Sequence, residues 1–352
     1  MGTMRAAVLH DLHDLRVEDV PIPSFNDDEV LIKVAYNGLC GTDASEYAKG
    51  SIMVPLKVPH PNSKHLGATV LGHEFVGTVV KAGINVRHLI GKRVACGAGV
   101  SCGSCQRCKE GRTNLCDHYF TLGLSVDGGL AEYVAAPGNI CVPIPNNVKS
   151  EHAVLAQPLA VGIHGVRRSG VRDGDKVIVL GAGAIGSFVC VALQQHDVEI
   201  TAMDIDQKRL DVAAVLGAHK TILIEPNVTP AEIKALNPQQ ADVVFETSGA
   251  PGGVARAVAL TKMGGTVLLM GLNKVPQDLV FADPVLREVT LQTTVAHVCQ
   301  DDMPAALDLL QSGTIAEMLT EKIVSLEEAV SAFEYLSAGK ATGKVLVSPH
   351  HG

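Results

Sequence analysis

Four cysteines fall within 15 residues: Cys102, Cys105, Cys108 and Cys116, spaced x2, x2 and x7. Thiolates at that spacing on one loop can converge on a single tetrahedral ion. Four protein sulfurs leave no open position, so the expected site is a closed, structural zinc. Gly103 and Gly111 supply the sharp turns such a loop needs. An iron–sulfur cluster and a pair of disulfides are the competing uses of four thiols, and disulfides require an oxidising compartment. A second group is sparser. Cys40 stands in Leu39-Cys40-Gly41-Thr42-Asp43, and 33 residues after it comes His73 in Gly72-His73-Glu74. A Cys, a His and a Glu with a hydroxyl residue nearby can hold a zinc that keeps one position open. Taken singly, Cys40 and His73 read as core packing; beside the other motifs they read as ligands. The other thiols, Cys96, Cys141, Cys190 and Cys299, are scattered and are expected to be buried small hydrophobes.

A third motif is Val177-Ile178-Val179-Leu180-Gly181-Ala182-Gly183-Ala184-Ile185-Gly186, an apolar strand running into G-x-G-x-x-G and then a helix. The glycine pattern alone is weak, but its strand–turn–helix setting is that of a dinucleotide site. Gly181 permits the tight turn, Gly183 lets the backbone approach a pyrophosphate, and Gly186 permits close helix–strand packing. Ala184 and Ile185 open the helix whose N-terminus meets the phosphate charge. Asp204 lies 18 residues after Gly186 at the end of the next strand. An acidic group there bonds both ribose hydroxyls and repels a 2′-phosphate, which favours NAD over NADP. Arg209 could meet a 2′-phosphate, although with Lys208 it fits a solvated helix face.

These motifs need two kinds of scaffold. Residues 1–155 are β-rich, with short runs such as Val30–Ala35 and Val76–Val80 separated by Gly, Pro, Asn and Asp. Residues 156–295 alternate strands and helices: Lys176–Leu180, Ile185–His196, Glu199–Met203, Lys208–Leu216, Thr221–Ile224, Val243–Glu246 and Thr266–Met270. That alternation means βαβ units and a parallel sheet. Residues 296–352 carry two helical stretches, Met303–Ser312 and Leu326–Ala338, and close on the strand Gly343–Val347. The fold class is α/β: a β-rich domain with a doubly wound, Rossmann-type domain inserted before its C-terminal part.

Together these segments resemble the zinc-dependent medium-chain alcohol/polyol dehydrogenases. The likeness covers C-G-T-D, G-H-E, the four-cysteine lobe, the Pro158-Leu159-Ala160-Val161 turn, the glycine motif and the terminal Gly343-Lys344 strand. Within the family, Glu46-Tyr47, Gly50-Ser51-Ile52-Met53-Val54-Pro55, His60-Pro61 and Gly165–Ser169 are most similar to 2,3-butanediol (acetoin) dehydrogenases. The resemblance implies a GroES-like catalytic domain, two zincs per chain and NAD. Cys40 and His73 would be ligands of the catalytic zinc. Glu74 would be a ligand or a close carboxylate, Asp43 the carboxylate fixing the His73 tautomer, and Thr42 the group that takes the alcohol proton. Three positions depart from the family pattern. Gln157 stands where the polyol branch has a ligand Glu, and its amide oxygen would ligate with one less negative charge. Ser45 stands where a His ends the proton relay, so the proton leaves through water. His297-Val298-Cys299 lacks the usual aromatic and basic residues. His60, His65 and His297 are pocket candidates that read more readily as surface or packing histidines.

The expected reaction is reversible oxidation of a secondary alcohol to a ketone, with a vicinal diol such as 2,3-butanediol as substrate. A sugar or polyol such as sorbitol, glucose and L-threonine are the alternatives within the family; a non-catalytic NAD-binding redox sensor is the alternative outside it. A carboxylate substrate needs a positioned Arg or Lys, and none stands beside the ligands in sequence. Lys and Arg number 29 against 37 Asp and Glu, a net charge of −8, and Trp is absent. Without basic runs or stacking platforms, nucleic-acid and anionic-membrane partners are not expected. No signal peptide and no apolar run of about 18 residues is read, so the expectation is a cytoplasmic protein. A homodimer or homotetramer is expected, with Thr266–Gly271 and Leu279–Phe281 as candidate interface strands.

Overall fold

The computed structural model describes residues 2–50, 52–272 and 275–350, so Ser51 of the resemblance above lies outside the described residues. The chain forms two compact units, Met1–Ala160 with Val298–Gly352, and Val161–His297.

The first unit begins with strands β1 (Thr3–Asp11), β2 (Asp14–Pro21) and β3 (Glu29–Gly38), then helix α1 (Gly41–Lys49). Strands β4 (Thr69–Val70), β5 (Glu74–Ala82), β6 (Arg93–Cys96) and β7 (Gly99–Val100) follow. Helix α2 (Gln106–Lys109) lies inside the cysteine lobe, and β8 (Phe120–Thr121), β9 (Tyr133–Pro137), β10 (Cys141–Pro143) and α3 (Ser150–Ala153) lie beyond it. The chain then enters helix α4 (Ala156–Ser169), within which the first stretch of the first unit ends at Ala160.

The second unit is built on six parallel strands: β11 (Lys176–Leu180), β12 (Glu199–Asp204), β13 (Lys220–Leu223), β14 (Ala241–Glu246), β15 (Thr261–Leu269) and β16 (Thr290–Thr293). Their order is β13-β12-β11-β14-β15-β16. The order turns back at β11, and the crevice at the carboxyl end of such a switch-point strand is where open α/β sheets bind ligands. Helices α5 (Ala184–Leu193), α6 (Gln207–Val215), α7 (Pro230–Leu236), α8 (Gly253–Leu260) and α9 (Ala282–Leu286) connect the strands. Two expectations need correction. Leu279–Phe281 is not a strand; it lies between Pro276 and Pro284 and leads into α9. Thr266–Leu269 belongs to β15, an inner strand, so the edge at that end is β16.

The chain re-enters the first unit with α10 (Cys299–Leu309), α11 (Thr314–Leu319), β17 (Thr320–Ser325), α12 (Ala329–Ser337) and β18 (Lys344–Ser348). Strands β10-β6-β5-β3-β18-β17 form one sheet, with β9 also paired to β3. Two registers in this sheet converge on one point. Antiparallel β3–β5 pairing puts Gly38 opposite Glu74, and β18–β3 pairing puts Leu346 opposite Gly38. Cys40, Glu74 and Lys344 are therefore neighbours despite their separation in sequence. Buried Leu39, Leu71, Leu130, Val345 and Phe333 share one core cluster around these strand ends. Each such side chain contributes about 1.5–3 kcal/mol on burial, which anchors the backbone carrying the polar groups. Among the described residues no helix is long and apolar enough to cross a membrane.

Candidate metal centres and nucleotide site

Cys40 is the N-cap of α1, and the two residues after Gly41 are Thr42 and Asp43. Asp43 is fully buried and works in two directions. Its Oδ2 accepts from the Cys40 backbone N–H at 3.0 Å, the return contact typical of an acidic residue in a helix's first turn. Its Oδ1 lies 3.1 Å from His73 Nδ1. A carboxylate accepts, so Nδ1 carries the proton and Nε2 is left as the ligating nitrogen. Burial on its own pushes His73 down, but the Asp43 carboxylate and the Cys40 sulfur outweigh it and raise the imidazole well above its ordinary value. Donor atoms of Cys40, His73 and Glu74 lie within 4.8 Å of one another. Sulfur, imidazole and carboxylate at that spacing suit one zinc with room for a further ligand. Thr42 and Ser45, three residues apart on α1, are both half-buried and lie on one side of the helix. Glu46, one turn on, is buried, and its carboxylate accepts from the backbone N–H groups of Ile52, Met53 and Val54, fixing the loop that follows α1. Gln157 is half-buried in the first turn of α4.

Sequence reasoning missed Lys344. It opens β18, whose five residues are all buried, and its Nζ donates to Glu74 Oε1 at 2.7 Å and lies 2.5 Å from Oε2. A third contact goes to the Leu39 carbonyl at 3.1 Å. Burial pushes the amine down, but Glu74, then Cys40, hold it above the usual lysine value, so it stays cationic. A lysine therefore does stand beside the ligands, brought there by β18 pairing, and it is committed to Glu74. The available signal was a charged residue at the head of the otherwise apolar run Val345-Leu346-Val347.

The cysteine lobe gathers its four sulfurs into one group. Cys105 Sγ lies 3.6 Å from Cys108 Sγ and 3.8 Å from Cys116 Sγ, with all thiols free. Zinc–sulfur bonds of about 2.3 Å in a tetrahedron put sulfurs roughly 3.8 Å apart, so the lobe fits a closed zinc site. Backbone N–H groups of Cys102 and His118 point at Cys116 Sγ, and that of Cys105 at Cys102 Sγ. Hydrogen bonds from Ser104 and then from Cys105 bring Cys102 down to about 5, whereas burial pushes Cys108 up to about 12. Gly103 and Gly111 both take positive φ, at +70° and +74°. The scattered thiols Cys96, Cys141, Cys190 and Cys299 are buried, and Cys96 faces Cys141 across β6 and β10.

In the second unit the three glycines have three different surroundings. Gly181 has φ +102°, and a Cβ there would press on Ser248 N. A Cβ on Gly186 would fall 1.9 Å from the Gly181 carbonyl oxygen. Around Gly183, the N-cap of α5, a Cβ would meet nothing within 4 Å. The helix N-terminus therefore faces open space at Gly183, with Ala184 exposed beside it, where an anion can approach. Asp204 is buried at the end of β12, and its Oδ2 accepts from Ala182 N at 2.7 Å. The Arg209 guanidinium lies 3.8 Å from Asp204 Oδ1, whereas Lys208 is exposed. Two groups at the end of β14 also shape this turn without a sequence signal. Thr247 Oγ1 donates to the carbonyls of Leu180 and Gly181, at 3.1 and 2.5 Å. Glu246, buried, accepts from the N–H groups of Ser248 and Gly249 and from the Ser248 hydroxyl.

Three histidines separate by role. His60 Nδ1 accepts from Asn62 N and Ser63 N, and His65 Nε2 meets Thr69 Oγ1 at 2.9 Å, so both organise the 60–69 turn. His297 is buried at the end of the second unit.

A closed four-sulfur lobe, an open Cys–His–Glu group and a dinucleotide turn on a parallel sheet define a zinc-type, nucleotide-linked oxidoreductase. Comparison with known proteins agrees. Residues 26–146 match the alcohol dehydrogenase GroES-like domain, and residues 184–312 match the zinc-binding dehydrogenase domain. Sorbitol dehydrogenase of Bacillus subtilis is 32% identical, covering 99% of this chain and 98% of its own. The crystal structure of 2R,3R-butanediol dehydrogenase from the same organism superposes with a TM-score of 0.88 at 31% identity, covering 99% and 100%. A zinc-binding dehydrogenase from Sinorhizobium meliloti, solved bound to NADP, superposes at 0.85 with 30% identity, covering 99% and 100%. The chain belongs to the zinc-dependent medium-chain alcohol dehydrogenase family and is an oxidoreductase acting on CH–OH groups of alcohols or polyols.

Proposed function

We propose that the chain oxidises a secondary hydroxyl of a vicinal diol, such as 2,3-butanediol to acetoin, reversibly and with NAD. The observation that carries this is the convergence of Cys40, His73 and Glu74 donor atoms within 4.8 Å, at the ends of strands that also bring Lys344 to the site. Bound zinc would supply Lewis acidity that lowers the pKa of an alcohol, and bound NAD would accept the hydride. The protein does the rest. Cys40 and His73 would hold the metal, Asp43 orients both, and the half-buried Thr42 hydroxyl would take the alcohol proton. With Ser45 where a relay histidine would stand, the proton would leave through water. In the second unit Gly181, Gly183, Ala184, Ile185 and Gly186 would cradle the pyrophosphate. Asp204 would bond the ribose, and Arg209 at 3.8 Å would support it there. A 2′-phosphate would sit against the Asp204 carboxylate, which favours NAD although a relative was solved with NADP. The four-cysteine lobe would hold the second zinc, and Gln157 would face the first with a neutral amide.

Sorbitol is the second substrate, favoured because the sorbitol dehydrogenases of Bacillus subtilis and Bombyx mori are 32% and 33% identical. Steady-state kinetics with NAD over butanediol, acetoin with NADH, sorbitol, glucose and threonine separates them. Threonine as the sole good substrate would overturn the diol assignment. The chain is also proposed to act as a homodimer or homotetramer in the cytoplasm.

A further inference from the structure

Two partners compete for the Glu74 carboxylate. One oxygen belongs to the group of donor atoms shared with Cys40 and His73. Both oxygens also meet the Lys344 ammonium, at 2.7 and 2.5 Å, in a pair almost wholly removed from water. Lys344 is anchored in turn by the carbonyl of Leu39, the residue before Cys40. On its other side Glu74 lies against the backbone of Gly38, where a Cβ would sit 2.5 Å from Oε2. Among the described residues Glu74 Oε2 has no hydrogen-bond partner, and its contact with Lys344 is an ion pair. The carboxylate is thus seated on Lys344 by strand register and by the missing side chain at Gly38, with no third partner fixing it among the described residues.

The charges sharpen the competition. Asp43 is already used by the Cys40 N–H and the His73 ring. Position 157 carries a neutral amide, so Glu74 is the one carboxylate in the ligand group. Its seat on Lys344 or on the metal decides both the charge of the ligand set and whether a coordination position stays open. We propose that Lys344 is a positioning residue that holds Glu74 back from the metal and so keeps that position free for the substrate oxygen. The proposal rests on the reading that Cys40 and His73 hold a zinc. Without the lysine, a buried carboxylate beside a dication has only the metal to pair with. Glu74 then becomes a ligand, the metal is held more tightly, and the open position closes.

The test follows metal retention in the purified zinc-loaded protein. The rate at which a chelator extracts the metal that Cys40→Ser lacks is measured in wild type, Lys344→Met, Lys344→Arg, Glu74→Gln and the double variant Glu74→Gln/Lys344→Met. Lys344→Met is expected to slow extraction by about tenfold or more, the scale on which neighbours of metal ligands act. Lys344→Arg restores the wild-type rate, and in the Glu74→Gln background Lys344→Met changes nothing. Cobalt-substituted Lys344→Met shows the ligand-field spectrum of an added oxygen ligand. Where Lys344→Met fails to fold, Lys344→Gln, which keeps a donor for Leu39, carries the same test, with extraction again slower than in wild type. Extraction at the wild-type rate or faster overturns the proposal, as does slowing that persists without Glu74. A wild-type protein with no metal sensitive to Cys40→Ser would remove the zinc assignment itself, a failure seen before any lysine variant is made.

Discussion

One Asp43 oxygen takes the Cys40 backbone N–H and the other takes the His73 ring, so a single carboxylate fixes both ends of the open metal group. Asp43→Asn keeps the shape but replaces one acceptor with a donor, which faces either the Cys40 N–H or the His73 Nδ1 proton. Misorienting a ligating histidine this way typically costs 10–100-fold in metal affinity or activity. The expected outcome is a loss of about that size in catalytic-metal affinity, read by metal content after dialysis, with unchanged circular dichroism. Thr42 is separable from ligation. Thr42→Val removes the proton acceptor but not its bulk, and kcat/KM is expected to fall by roughly 10²–10⁴ while both metals are retained. Thr42→Ser keeps a hydroxyl and most of the activity. Equal losses in the two variants would remove Thr42 from the proton path.

Among the elements, the β11–α5 turn makes the sharpest comparison, because its glycines face different things. A Cβ at Gly186 meets the Gly181 carbonyl oxygen, a backbone atom that moves only with the turn. Gly186→Ala is expected to destabilise the protein by about 1–3 kcal/mol, seen as a lower Tm, and to abolish NADH binding. Gly183→Ala meets no protein atom, so Tm stays at the wild-type value. Its methyl enters the space a pyrophosphate would fill, so NADH binding measured by fluorescence titration weakens by roughly tenfold, about 1.4 kcal/mol. Matching Tm losses would show that both glycines serve folding alone. This element was the most legible in sequence, since strand, glycines and Asp204 sit within one βαβ unit. Helix α7 was legible in principle: Thr229 and Glu232 cap it reciprocally, with Pro230 at its first position. What the sequence could not show was set by long-range register. Lys344 reaches Glu74 only through β18–β3–β5 pairing across 270 residues. Thr247 and Glu246 reach the glycine turn only because β14 neighbours β11. The apolar triplet Leu279-Val280-Phe281 has the composition of a strand, but among the described residues no strand pairs with it, and the next residues form α9.

At the scale of the whole molecule, one stretch of the second unit is unlike the rest. Leu272, Val280, Phe281, Val285 and Leu286 are 72%, 77%, 62%, 68% and 83% exposed. They lie in the segment that leads to β16, the last strand of the parallel sheet, which has one free edge. Scattered exposed apolar residues are ordinary, but several within one segment, and an open strand edge, are each features that monomeric proteins usually bury or break with charge. A second copy of the chain would cover both features at once. Light scattering is expected to give two or four times the 36.9 kDa chain mass. Val280→Glu combined with Leu286→Glu puts charge into that surface and is expected to shift the protein to monomers. Both metal groups lie within a single chain, so the zinc content should remain two per chain in that variant. A monomeric wild-type protein would refute the assembly. An oligomer that survives both glutamates would move the interface elsewhere on the chain.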